Sequence, residues 1–179
     1  EIVNRVLGPV QTNCYILMDQ GHALIIDPEL HLDAILDAHQ CQLDAICLTH
    51  AHFDHIGGIP SILEKYPVDV YVHPKEFSFF ADTKLNVSQA FMQPFSFACE
   101  PKALKEGKQT IGSFDLDVLY TPGHSVGSLC ILYKDILFSG DIWHRRRFLL
   151  SVPPVRCHSW HPAQHLSVQG LLLRIFRSG

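Results

Sequence analysis

Apolar positions along the chain change period several times, and each change marks an element. Residues 2–7 and 14–18 read as strands separated by Gly8-Pro9. Gln20-Gly21 signals a tight turn, and residues 23–26, Ala-Leu-Ile-Ile, form a fully apolar third strand. Leu32, Ile35, Leu36 and His39 then recur at helical spacing, with Asp33 and Asp37 on the other side. A strand over 45–48 follows. Ile56, Ile59, Ile62 and Leu63 mark the next helix, with Pro60 in or near its first turn, and residues 68–72 make another strand. This alternation of strand and helix predicts a layered α/β architecture. Pro74 suits the first position of a short helix over 74–81.

Residues 82–107 carry little period. Phe91, Phe95 and Phe97 near Pro94 and Pro101 fit either a surface excursion over a site or a loop whose aromatics join the core. Alternation returns at Phe114, Leu116, Val118 and Tyr120, a half-buried strand, and residues 129–133 and 136–138 are two more strands around Lys134-Asp135.

The chemistry concentrates where strands run out. Thr49-His50-Ala51-His52-Phe53-Asp54-His55 follows an apolar strand and precedes Gly57-Gly58. In extended backbone, residues two apart point the same way, so His50 and His52 can reach one ion as a pair. Asp54 and His55 come after the chain turns and can face a second ion. Imidazole nitrogen and carboxylate oxygen suit a borderline divalent ion such as zinc.

That string resembles the His-x-His-x-Asp-His signature of the metallo-β-lactamase superfamily. Asp27, closing the run Ala23-Leu24-Ile25-Ile26, matches the early aspartate of that family. Thr121-Pro122-Gly123-His124-Ser125 is similar to its next histidine loop, and Ser139-Gly140-Asp141 to its bridging-aspartate strand end. The opening Leu7-Gly8-Pro9-Val10-Gln11-Thr12-Asn13-Cys14-Tyr15 is similar to the start of the glyoxalase II-like hydrolases within it. The resemblance implies a domain over residues 1–142 with the family's four-layer αββα sandwich, its C-terminal part incomplete. It implies one ion on His50, His52 and His124, a second on Asp54 and His55, and Asp141 bridging both. Zinc is the expected metal, with iron or manganese as alternatives. A divalent ion lowers the pKa of its water to about 7, so hydroxide can attack a carbonyl carbon at neutral pH. Asp54 is then both a ligand and the catalytic residue orienting the nucleophile, and Asp27 either fixes a histidine tautomer or the histidine loop from behind or is a strand-end turn residue. Two divalent cations against Asp54, Asp141 and a hydroxide leave the site cationic, favouring a small anionic substrate such as a thioester. A mononuclear iron sulfur dioxygenase and an inactive, truncated metal-binding remnant are the competing readings.

The resemblance stops near residue 142. The family's second metal takes another histidine from a late Gly-His-Gly-like loop, and no such loop precedes Gly179. Residues 1–141 hold all 18 acidic residues, whereas 142–179 hold no Asp, Glu or Lys and six Arg. Domain surfaces mix both signs, so residues 143–179 read as an atypical tail: out of frame, a divergent domain end, or a basic arm. His158, His161 and His165 are the histidines left for the missing ligand, with Pro162 interrupting any helix among them. Loss of a closing strand would leave a sheet edge unpaired.

Composition narrows the class without choosing the chemistry. The 179 residues suffice for one sizeable core. A formal net charge of -4 makes no case for nucleic acid or an anionic membrane. No apolar run approaches the roughly 20 residues a membrane helix needs. The N-terminus lacks a basic region followed by an apolar stretch, so no secretory signal is expected there. Six cysteines without a CxxC pair, three of them in apolar runs, point to a reducing, cytoplasmic setting. Oligomeric state is open.

Overall fold

A computed structural model describes residues 1–29, 32–141 and 156–157. Its first sheet comprises β1 (Ile2–Leu7), β2 (Thr12–Asp19), β3 (His22–Ile26), β4 (Gln42–Cys47), β5 (Asp69–Val72) and β6 (Lys102–Ala103), hydrogen-bonded in that order. β1, β2 and β3 are antiparallel neighbours, and Gln20 and Gly21 both take positive φ in the hairpin between β2 and β3. From β3 to β6 the pairing is parallel, so the chain must cross over between strands. The first two crossovers are helices: α1 (Asp33–His39) between β3 and β4, then α2 (Phe53–Ile56) and α3 (Ile59–Lys65) between β4 and β5; the third, from β5 to β6, is a 3₁₀ helix (Pro74–Phe80) and irregular chain. The sequence predicts one helix around residues 56–63. The structure breaks it at Gly57-Gly58 and begins α2 earlier, at Phe53.

The second sheet is an antiparallel meander of β7 (Gly107–Ile111), β8 (Phe114–Tyr120), β9 (Leu129–Tyr133) and β10 (Ile136–Phe138). β11 (Arg156–Cys157) pairs parallel to β10, so that edge is partnered. β7 was not visible in the sequence. It is an edge strand, Gly-Lys-Gln-Thr-Ile, whose residues before Ile111 remain partly or fully exposed and leave no apolar alternation to read.

Side-chain alternation assigns the layers. Along β2, Cys14, Ile16 and Met18 face one way and join Leu32, Leu36, Ile56, Ile59 and Ile62 from the helices. Tyr15 and Leu17 face the other way and join Phe114, Leu116, Val118, Leu129, Ile131 and Phe138 of the second sheet. The centre of the first sheet is therefore buried on both faces, which explains why β3 reads as an unbroken apolar run. Phe80, Phe114 and Phe138 are fully buried; each such side chain contributes about 1.5–3 kcal/mol of hydrophobic stabilisation. These are three layers of an α+β sandwich. The fourth layer of the expected αββα arrangement is not seen among the described residues, and most of the 143–179 tail, with His158, His161 and His165, lies outside them.

The segment from 82 to 107 divides between its two sequence readings. Phe95 and Phe97 pack on the helix-side core, with Phe97 edge-on to Phe80. Phe91 stays half exposed and lies against Phe53, ring centroids 5.0 Å apart. Asn86 ties the segment down. Fully buried, its side-chain amide donates to the carbonyls of Phe79 and Phe95, and its backbone carbonyl accepts from the Phe53 N–H that opens α2. Among the described residues, no helix is long and apolar enough to cross a membrane.

Candidate metal centre

The histidine string leaves β4 at its C-terminal end. His50 and His52 lie on the chain that follows, with His52 still extended (φ -71°, ψ 155°), while Asp54 and His55 occupy the single turn of α2. His124 comes from the loop between β8 and β9, and Asp141 follows β10. Strand ends of both sheets thus deliver donors to one place, the arrangement in which a rigid scaffold can hold a site made of loop residues.

Three imidazoles converge. His52 Nδ1 is 2.9 Å from His124 Nε2, which is 3.1 Å from His50 Nε2. A tetrahedral ion with bonds of 2.0–2.1 Å would set its donor atoms about 3.3 Å apart, so a small relaxation would open the cluster to an ion. A second group comprises His50, His55 and Asp141, with donor atoms within 4.8 Å of one another. Asp141 also reaches toward the first group, with Oδ1 3.8 Å from His55 Nε2 and Oδ2 3.7 Å from His124 Nε2. Asp54 differs from the expected arrangement. It is not in either close group. Its Oδ2 accepts the Thr12 hydroxyl at 2.6 Å and lies 3.4 Å from His55 Nε2.

Buried hydrogen bonds set which nitrogen faces inward. Asp27 accepts the Thr49 N–H at 2.8 Å and the Thr49 hydroxyl at 2.6 Å. With its proton spent on Asp27, the Thr49 oxygen is the acceptor for His50 Nδ1 at 3.2 Å, which assigns the proton to Nδ1 and leaves Nε2 bare toward the cluster. The second oxygen of Asp27 also lies 3.0 Å from His55 Nδ1, an ion-pair contact whose angle departs from a hydrogen bond. His55 Nε2 is buried with no hydrogen-bond partner among the described residues. Gly140 lets the Asp141 strand end close onto this network. At φ +53°, its backbone approaches Thr49 so closely that an added Cβ would fall 2.3 Å from Thr49 Oγ1.

The electrostatics follow from burial. Burial holds His50 well below the ordinary imidazole range, and the neighbouring imidazoles add to it. Burial and then His124 bring His52 down to about 4, and burial also lowers His124. Neutral imidazole is the ligand form. At His55 burial pulls downward, but the Asp27, Asp54 and Asp141 carboxylates outweigh it and raise the group to about 9. Three bare or poorly paired imidazole nitrogens, an orphaned His55 Nε2 and adjacent carboxylates form a donor set that a divalent cation fits.

Several contributors were not singled out in the sequence. Thr12 sits in the opening motif and Thr49 heads the histidine string, but neither position carries a local signal of its contacts. Glu76 and Asn86 carried no signal beyond being polar. A separate cleft of about 510 Å³, lined by His22, Gln42, Asp44, Asp69 and Ser113 among others, lies at the opposite ends of β3, β4 and β5. Ligand sites in sheets with parallel strands favour the C-terminal ends, where the imidazoles are.

A two-sheet sandwich with convergent histidines and carboxylates at its strand ends defines a metal-binding hydrolase-type scaffold. A family model for the metallo-beta-lactamase superfamily matches residues 7–176, and the chain belongs to that superfamily. It is 38% identical over 144 residues to "Probable metallo-hydrolase YqgX" of Bacillus subtilis, covering 76% of this chain and 68% of that protein. It is 33% identical over 135 residues to "Probable polyketide biosynthesis zinc-dependent hydrolase BaeB" of Bacillus velezensis, covering 72% of this chain but 53% of that one. Among solved structures, BLEG-1 B3 metallo-beta-lactamase superposes with a TM-score of 0.74 at 32% identity, covering 99% of this chain and 84% of its own. TTHA1623 in a di-iron-bound form gives 0.66 at 26%, covering 98% and 84%.

Proposed function

We propose that the chain is a metal-dependent hydrolase of the glyoxalase II-like kind, acting on a small anionic thioester or similar carbonyl ester. The observation carrying this reading is the convergence of His50 Nε2 and His52 Nδ1 on His124 Nε2, each within hydrogen-bonding distance of it. Hydrolase names among the relatives, one of them zinc-dependent, support the reaction class. The opening Gly8-Pro9-Val10-Gln11-Thr12-Asn13 motif supports the branch.

His50, His52 and His124 would hold one ion, and His55, Asp54 and Asp141 would hold or border a second. A bound divalent ion supplies Lewis acidity toward the carbonyl oxygen and a water acidic enough to ionise near neutral pH. The chain's own residues do the rest. Thr12 holds Asp54 Oδ2, leaving Oδ1 to accept a hydrogen bond from the nucleophilic water and orient it. Asp27 and Thr49 keep the His50 proton on Nδ1. Phe53 and Phe91 supply an apolar wall beside the histidine string. Zinc is the first choice of metal. The di-iron form of TTHA1623 keeps iron in view.

The test is thiol release from a hydroxyacylglutathione thioester by zinc-loaded, folded protein. Turnover that Asp54→Ala abolishes is expected; a fully active Asp54→Ala variant would overturn the mechanism. A second reading, a mononuclear iron sulfur dioxygenase, draws on His52 and His124 beside Asp141, a two-histidine, one-carboxylate set that suits non-haem iron. Oxygen uptake dependent on a persulfide, by iron-loaded protein, separates the two.

A further inference from the structure

Glu76 is fully buried, yet it sits on a 3₁₀ helix (Pro74–Phe80) that contributes nothing to the donor cluster. Its carboxylate joins the two segments that do. Oε2 accepts the N–H of Ala51, the residue between His50 and His52, at 2.5 Å. Oε1 accepts the Ser125 hydroxyl and, at 2.8 Å, the Gly127 N–H, both on the loop that carries His124. Ser125 in turn donates its N–H to the Ser128 hydroxyl at 2.9 Å, which closes the loop on itself. The fit is tight enough to dictate a neighbour, since a Cβ at Gly127 would lie 2.6 Å from Glu76 Cγ and 2.9 Å from Oε1. A backbone tie between the two segments, the Leu129 N–H to the Thr49 carbonyl at 2.8 Å, joins the residue before His50 to the start of β9.

We infer that Glu76 is a positioning residue that clamps the His50/His52 segment to the His124 loop, fixing the separation of the three imidazoles for the metal. The inference rests on the metal-binding reading above. It assigns Glu76 no contact with ion or substrate. Its carboxylate is suited to this because every partner is a donor and both oxygens are used. Glutamine cannot replace it. Whichever way the amide is turned, its NH₂ faces either the Ala51 N–H or the Gly127 N–H, so one half of the clamp opens. Misplaced supporting groups typically weaken metal binding by about 10–100-fold.

The experiment titrates Co²⁺ into the chelator-stripped full chain and follows affinity and the visible d–d bands, with melting temperature measured on every variant. Glu76→Gln is expected to bind Co²⁺ about 10–100-fold more weakly and with an altered band envelope. Ser125→Ala, which removes one donor, is expected to shift both in the same direction by less. Ile131→Val, a core change in the second sheet, controls for stability and should leave affinity and spectrum unchanged. If Glu76→Gln fails to fold, Ser125→Ala decides. Unchanged affinity and spectrum in folded Glu76→Gln, or in Ser125→Ala where that variant decides, overturns the clamp while the metal reading stands. Failure of the unaltered chain to take up Co²⁺ overturns the metal reading, and the clamp with it.

Discussion

Replacing Thr12 by valine removes one hydroxyl and nearly nothing else, and its cost can be worked out from the contact it breaks. The Thr12 hydroxyl donates to Asp54 Oδ2 at 2.6 Å, and both residues are buried, at 6% and 8% exposure. A hydrogen bond to an ionised carboxylate contributes about 1.5–3 kcal/mol, and burial prevents water from replacing the lost donor. In a chain of 150–250 residues each kcal/mol moves the melting temperature by about 2–4 °C. Thr12→Val should therefore melt about 3–12 °C lower than the unaltered chain when both are stripped of metal and scanned by calorimetry. Thr110→Val is the control. The Thr110 hydroxyl also reaches a carboxylate, Asp115, at 2.7 Å, but at an exposed position, where the loss should stay within about 0.5 kcal/mol. If Thr12→Val melts with the unaltered protein, or if the two variants lose stability equally, the buried Thr12–Asp54 bond is not holding the carboxylate.

Other perturbations follow from neighbouring contacts. Gly140→Ala places a Cβ 2.3 Å from Thr49 Oγ1 at φ +53°; it should destabilise by about 1–3 kcal/mol from backbone strain alone and reduce metal uptake, read by thermal scan and equilibrium dialysis. Asn86→Ala strips the two carbonyl contacts that fasten the 82–97 segment; limited proteolysis should cut there first, and unchanged protection would show that the segment is held otherwise. Chelation should lower the melting temperature and zinc restore it, by about 4 kcal/mol of stabilisation when the free ion is at 1,000 times its dissociation constant; no zinc-dependent shift would argue against a native-state site.

How far the sequence carries depends on where the information sits along the chain. β8 was legible because one face meets the core and alternate residues must be apolar, and β2 because residues 14–18 are apolar throughout and pack on both cores. β3 was legible because both faces are buried. The histidine string was legible because four donors fall within six residues, and His124 and Asp141 because each follows a strand with a turn-forming glycine beside it. The rest was not local. β7 exposes polar side chains on an edge and resembles a loop. Asp54 turned toward Thr12, 42 positions earlier, and only the folded chain reveals that contact. Glu76 stands in a Pro-Lys-Glu stretch that looks solvated, yet it is fully buried because three donors from residues 51, 125 and 127 converge on it. No pattern along one segment encodes a contact of that kind. The break in composition after residue 141 was plain in the sequence, and its consequence for the second metal falls outside the described residues.

Anomalous diffraction at the zinc edge, from crystals of metal-loaded protein, tests the central claim most directly. A peak is expected between His50 Nε2, His52 Nδ1 and His124 Nε2, about 2.0–2.1 Å from each nitrogen. A folded, zinc-equilibrated chain with no density among those three imidazoles would contradict it.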